Sequence, residues 1–292
     1  MRFQEKLKFA LSHDTPGYDF NHVLDAVDEL ELEYIDLRAI GDKNIVQLSD
    51  GEIQDVKDLV RKHGIKVSSI SPFLFFRLPL TEGDDEITIR GSFTEQLNTL
   101  SRATEIAKVF DTNIVRCFSF ESETLFEPGG WQDLPFDIWG KIIERLEKAT
   151  RIAEAAGITL GLENCHWCNL GTGLLVAKAI KEIGSKNIGL WWDPANSAMA
   201  SGENPYPDEY TQVKDYLVAI DMKDVIIDKR YNYWLQVAVG EGNKFNWQEI
   251  LRALIRDNYQ GVVSLESNYI PEGGTLHDGA KVSFSKVRQM LA

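Results

Sequence analysis

Short β-branched runs and amphipathic stretches alternate along this chain, and eight such alternations leave few architectures open. The pattern predicts strands over 7–11, 33–37, 65–70, 113–118, 158–163, 187–192, 216–222 and 261–266. Between them it predicts helices over 21–30, 50–63, 93–110, 136–156, 173–183, 210–215, 246–257 and 281–291. Eight β-runs, each followed by an α-run, is the count of a (β/α)8 TIM barrel. A doubly wound open sheet has fewer strands and a glycine-rich first turn. Here the first turn is Ser12-His13-Asp14-Thr15-Pro16-Gly17, without GxGxxG. Gly64, Gly157 and Gly184 stand where helices close, and Asp50 and Asn246 where N-caps belong.

No linker or composition shift divides the 292 residues, so one barrel domain over 1–292 is expected. With 31 Lys+Arg against 45 Asp+Glu, the net charge is −14, which opposes a nucleic-acid partner. No run approaches the roughly 20 apolar residues of a membrane span. The opening Met1-Arg-Phe-Gln-Glu-Lys is too polar for a secretory signal. Three cysteines (Cys117, Cys165, Cys168) are too few and too odd in number for a disulfide framework. A cytoplasmic protein is the expectation.

Helix-to-strand links are short, whereas five strand-to-helix links are long: 71–92, 119–135, 194–209, 223–245 and 267–280. Barrel active sites are built from the loops after the strands. Apolar loop residues (Phe73-Leu-Phe-Phe76; Phe126, Trp131, Phe136, Trp139) suggest a lid over a pocket or a homo-oligomer interface.

On that elaborated face four strands each end in an acid. The runs are Ile158-Thr-Leu-Gly-Leu-Glu163, Ile188-Gly-Leu-Trp-Trp-Asp193, Tyr216-Leu-Val-Ala-Ile-Asp221 and Val262-Val-Ser-Leu-Glu266. Carboxylates are poor strand residues and costly to bury uncompensated. Taken singly, each acid is as well explained by capping the next helix or pairing with a loop Lys or Arg. Together they suggest one shared divalent cation, Mn²⁺ or Mg²⁺ on an all-oxygen ligand set, with Co²⁺ or Zn²⁺ as lesser choices.

The same residues carry a resemblance. Gly161-Leu-Glu-Asn164, Trp192-Asp-Pro-Ala-Asn196, Met222-Lys-Asp224, Val239-Gly-Glu-Gly242 and Ser264-Leu-Glu266 resemble the sugar phosphate isomerase/epimerase family. That family lies in the xylose isomerase-like TIM barrel superfamily, with ketose 3-epimerases, inosose dehydratase and endonuclease IV. The resemblance implies that Glu163, Asp193 and Glu266 bind the metal and that both glutamates flank the substrate. The fourth family ligand is the His of a His-x-Lys-Asp stretch. Here the stretch is Asp221-Met-Lys-Asp224, so Asp221 stands in the ligand position. Asn196 occupies a position that is His in some members, which argues against a second metal.

Such a site suits proton transfer beside a carbonyl, through an enediolate, with Glu163 and Glu266 as the two proton carriers. Epimerisation, aldose–ketose isomerisation and dehydration all fit. Substrate contacts are expected from His166, Lys223, Arg116, Asn196 and His13. Two further readings stand beside this one: an inosose-type dehydratase and a non-catalytic barrel binding a sugar acid. A nuclease of the endonuclease IV kind is disfavoured by five histidines and the −14 charge. Strand two ends in Leu37-Arg38 and strand three in Ser71-Pro72, neither offering a ligand. Cys165-His-Trp-Cys168 has CxxC spacing, but no second CxxC and no thioredoxin-like context support a zinc or redox role.

Overall fold

A computed structural model describes residues 7–12, 19–122, 134–228, 230 and 233–292. Eight strands close into a barrel: β1 (Lys8–Ser12), β2 (Tyr34–Leu37), β3 (Lys66–Leu74), β4 (Ile114–Cys117), β5 (Thr159–Glu163), β6 (Ile188–Trp192), β7 (Leu217–Met222) and β8 (Val262–Leu265). Each pairs in parallel with its sequence neighbours, and β8 returns to β1 through Phe9↔Val263 and Leu11↔Leu265. This is the TIM barrel that the alternation implied.

Helices α1 (Phe20–Glu29), α2 (Asp50–Lys62), α3 (Phe93–Val109), α4 (Phe136–Ala156) and α5 (Gly173–Ile183) follow the first five strands. Then come α6 (Pro194–Ser201), α7 (Asp208–Val213), α8 (Trp247–Arg256) and α9 (Leu276–Leu291). Gly157 and Gly184 close α4 and α5 in the left-handed conformation, and Asn246 caps α8 through the amides of Gln248 and Glu249. The cap of α2 is Ser49 rather than Asp50. Its hydroxyl accepts from the Glu52 amide while Glu52 reaches back, a reciprocal arrangement that Asp50 one residue later cannot make.

Four other expectations need correction. Residues 194–209 are not a plain loop, because the Asp193 carboxylate caps a helix opened by Pro194 at its first position. The helix expected over 210–215 runs Asp208–Val213, and the last one begins at Leu276, where Thr275 and Asp278 form a capping box. The long segment after β7 contains an antiparallel hairpin, Asp224–Asp228 with Tyr233–Val237. A shorter one, Ala39–Ile40 with Lys43–Asn44, follows β2. No helix among the described residues is long and apolar enough to cross a membrane.

Strand alternation sends successive side chains to opposite faces. Trp192 points outward into the helical layer, where its indole donates to Glu209 at 2.7 Å and packs on Tyr210. Trp191 points into the barrel. Its ring fills the space beside Gly161, where a Cβ would stand 2.9 Å from the indole. Phe126 and Trp131 lie outside the described residues; Phe136 is exposed and Trp139 is buried, donating to Glu182 at 2.9 Å.

Candidate active site

Glu163 ends β5, Asp193 follows β6, Asp221 lies near the end of β7 and Glu266 follows β8. One oxygen from each lies within 4.8 Å of the others, and all four side chains are buried. Two asparagines set their spacing. Asn164 donates to the Asp193 carbonyl at 2.8 Å and accepts from the Asp193 amide at 2.8 Å, tying the end of β5 to the end of β6. Asn196 donates to Glu163 Oε1 at 3.0 Å, and its amide reaches Asp193 Oδ1 at 2.8 Å.

Two cations lie among the acids. Arg116, on β4, donates through Nε to Glu163 at 2.5 Å and through Nη2 to Asp221 at 2.7 Å, with Glu266 at 3.9 Å. Lys223 Nζ sits 2.7 Å from Asp193 and 3.1 Å from Glu266. Both side chains expected to meet substrate are thus engaged with carboxylates. The Arg116 guanidinium also stacks on Trp191, 4.8 Å from the ring centre.

Asp36 is a member of the site that strand-end reasoning missed. It is buried, 3.6 Å from Arg116, and accepts from Ser69 and from Ser71, the latter at 2.7 Å. The signal was an acid inside β2, two residues before its exit; looking only at the last residues of the strand passed over it.

Burial acts on every one of these groups, and the neighbouring charges sort them. It pushes the Glu163 and Asp221 carboxyls well up, with Arg116 opposing, and raises Asp193 against Lys223 and Asp36 against Arg116. Burial also pushes Glu266 up, but Lys223 and Arg116 together outweigh it and hold this carboxyl at about 2. Both cations stay charged: burial works against them, and the surrounding carboxylates more than reverse it.

His166 packs over the site, its Nδ1 2.5 Å from Asn196 Oδ1 and its ring against Trp234. Burial and the Lys223 charge bring its pKa down to about 4, so it is neutral at pH 7. His13 lies outside the described residues.

The donors fit a hard divalent cation. Asp221 Oδ1 is fully buried with no hydrogen-bond partner among the described residues, and all four candidate ligands offer oxygen. Counting Asp36, five buried carboxylates surround the two cations Arg116 and Lys223, an excess of acid that a divalent cation would offset.

Two sequence motifs turn out to be halves of one contact. The Asp224 carboxylate accepts from the amides of Gly240 at 2.8 Å and Gly242 at 3.1 Å. A Cβ on Gly242 would stand 1.8 Å from that carboxylate, so only glycine fits there. Trp247 donates to the Lys223 carbonyl at 3.1 Å, fixing the same turn from below. Lys223 is thereby aimed back into the acids.

The Cys165–Cys168 loop holds two buried free thiols beside Phe118 and carries His166 between them. Phe73 and Phe76 pack against the same cluster, and burial pushes the Cys165 thiol well up, as expected of an inert structural cysteine.

A family model described as xylose isomerase-like TIM barrel matches residues 24–286. An uncharacterized protein of Methanocaldococcus jannaschii is 25% identical over 197 residues, 63% of this chain and 65% of the relative, under two thirds of the relative's length. A xylose isomerase-like TIM barrel protein from Mycobacterium smegmatis, solved in complex with magnesium, has the same fold. It superposes with a TM-score of 0.73 at 20% identity, covering 100% of this chain and 98% of that one. A D-tagatose 3-epimerase-like protein gives 0.72 at 19% identity over 98% and 97%.

Proposed function

The chain belongs to the xylose isomerase-like TIM barrel family, and from that premise we propose that it is a divalent-metal-dependent isomerase or epimerase of a keto-sugar or sugar derivative. The observation that carries this reading is the convergence of four buried acids from consecutive strands within 4.8 Å, two of them glutamates: in Glu163 burial outweighs the neighbouring cations, and in Glu266 the cations outweigh burial. Glu163, Asp193, Asp221 and Glu266 would hold the ion, with Mn²⁺ or Mg²⁺ preferred because among the described residues no nitrogen or sulfur donor joins them. When bound, it supplies a Lewis acid beside the substrate oxygens.

The proton chemistry belongs to the glutamates. Glu266, held ionised by Lys223 and Arg116, is suited to take a proton from the carbon beside the carbonyl. Glu163, whose burial favours its neutral form, is suited to return one. The two arise from β5 and β8, with two strands between them, so they address the substrate from different directions. Arg116 and Lys223 hold the carboxylates in place and stabilise the negative charge that develops on the enediolate. His166, neutral and fixed by Asn196, offers its ring to a sugar hydroxyl. The D-tagatose 3-epimerase-like neighbour supports a sugar substrate at the level of fold.

Proton NMR of ketoses, sugar acids and inososes in D₂O with Mg²⁺ tests this. Deuterium should enter next to the carbonyl. Retention of the label on an inverted carbon identifies epimerisation, and its appearance on the neighbouring carbon identifies isomerisation. Glu163→Gln and Glu266→Gln should each slow exchange by about 10²–10⁴-fold. Wild-type exchange rates in both variants would refute the assignment. An enone chromophore in place of a second sugar would replace it with a dehydratase.

A further inference from the structure

The two cations among the acids are held in different ways. Arg116 is clamped from several sides. Its guanidinium lies 4.8 Å from the centre of the Trp191 ring, 5.4 Å from that of Phe118 and 3.6 Å from Asp36, which Ser69 and Ser71 hold in turn. Lys223 is fixed at its backbone. Trp247 donates to its carbonyl at 3.1 Å, and the following residue, Asp224, is locked to the amides of Gly240 and Gly242. Its ammonium sits at the end of a flexible four-carbon stem, 2.7 Å from Asp193 and 3.1 Å from Glu266.

The oxygens that an ion would use are unequally committed. Asp221 Oδ1 has no hydrogen-bond partner among the described residues. Asp193 Oδ1 accepts from the Asn196 amide at 2.8 Å, the bond that caps α6, so recruiting it would uncap the helix. That leaves Asp193 Oδ2, which faces Lys223, as does Glu266 Oε2. A dication bound by all four acids therefore meets the Lys223 ammonium at Asp193 and Glu266. All five side chains are buried, so little water screens the repulsion between the two cations.

We propose that Lys223 and the divalent ion are alternative partners of the Asp193–Glu266 pair, so that entry of the ion displaces the ammonium while Arg116 stays in place. Lys223 thereby sets the metal affinity of the site. The inference rests on the metal-binding part of the proposed function and is independent of which sugar reaction follows.

Dialysis of the full-length protein against Mn²⁺, with free Mn²⁺ read by electron paramagnetic resonance, provides the test. Lys223→Met should bind Mn²⁺ about 10-fold or more tightly than the wild type, within the usual range for coupled sites. Lys223→Arg, which keeps the charge, should show no such gain. Lys223→Gln takes the place of Lys223→Met if circular dichroism shows the latter misfolded. A second measurement needs no variant. Lys223 is the one buried lysine among the described residues, and its ammonium signal in nitrogen NMR of lysine-labelled wild type should move or vanish on saturation with Mg²⁺. Unaltered or weaker Mn²⁺ affinity in the folded neutral variants would overturn the inference, as would an ammonium signal indifferent to Mg²⁺. Asp193→Asn separates the two readings. If it binds Mn²⁺ as the wild type does, the four-acid metal site itself fails. If it loses Mn²⁺ while Lys223→Met gains nothing, only the displacement fails.

Discussion

Replacing Arg116 by methionine takes a guanidinium out of the middle of a carboxylate cluster while keeping much of its volume. The side chain is 6% exposed, 2.5 Å from Glu163, 2.7 Å from Asp221, 3.6 Å from Asp36 and 3.9 Å from Glu266. At an effective dielectric of about 20, the 2.7 Å contact alone has a Coulomb energy of about 6 kcal/mol before desolvation is counted. The acids need not remain charged, however, and that limits the loss. Binding one further proton in the folded state at pH 7, on a carboxyl with an ordinary pKa near 4, takes about 4 kcal/mol. At pH 5 the same proton takes roughly 1.4 kcal/mol. The variant should therefore be destabilised by about 4 kcal/mol at pH 7, within the usual range for breaking a buried ion pair. At pH 5 the loss should fall to about 1–2 kcal/mol. The direction follows from proton linkage: the folded variant binds more protons than the folded wild type, so its deficit grows as pH rises. Urea unfolding of both proteins in EDTA, at pH 5 and pH 7, measures the difference. A deficit equal at the two pH values would refute the electrostatic argument and leave only lost packing on Trp191.

Gly242→Ala should destabilise by about 2–4 kcal/mol, because its Cβ would displace the Asp224 carboxylate and its two amide hydrogen bonds. Gly140→Ala, in α4 with nothing within 4 Å, should instead stabilise by roughly 0.5–1 kcal/mol; denaturant midpoints that rank the two alike would contradict the packing account. His166, with a folded pKa of about 4 against an ordinary 6.5, contributes stability that is present above pH 6.5 and lost as pH falls towards 4. The loss attributable to it is roughly 3 kcal/mol. Nitrogen NMR of the imidazole reads this directly, and titration near 6.5 would show the ring is neither buried nor fixed as described.

How much of this was legible beforehand varies with the physics of each feature. The eight strands were readable because each is a short β-branched run, and the acids at four strand ends were readable because acids are conspicuous there. Asn164 and Asn196 were visible as motif letters, but nothing in the motif says that they brace β5 to β6 through reciprocal hydrogen bonds. The Met222-Lys-Asp224 and Val239-Gly-Glu-Gly242 motifs lie 15 residues or more apart and meet only because the hairpin after β7 folds back. Asp36 was overlooked for a related reason. Its importance comes from Arg116 on β4, two strands along the barrel wall and 80 residues away in sequence, a contact that no local pattern records.

The sequence by itself determined the barrel and the face on which its acids emerge, since strand period and loop length are local properties written along the chain. Which charges compensate those acids was decided by tertiary structure. Arg116 and Lys223 each read, in one dimension, as substrate contacts; parallel pairing of neighbouring strands, and for Arg116 and Asp221 the reach across the barrel mouth, brings them instead within hydrogen-bonding distance of the acids. The partners of a buried ion are fixed by distances of 3 Å or so across strands far apart in sequence, and no local pattern encodes those distances.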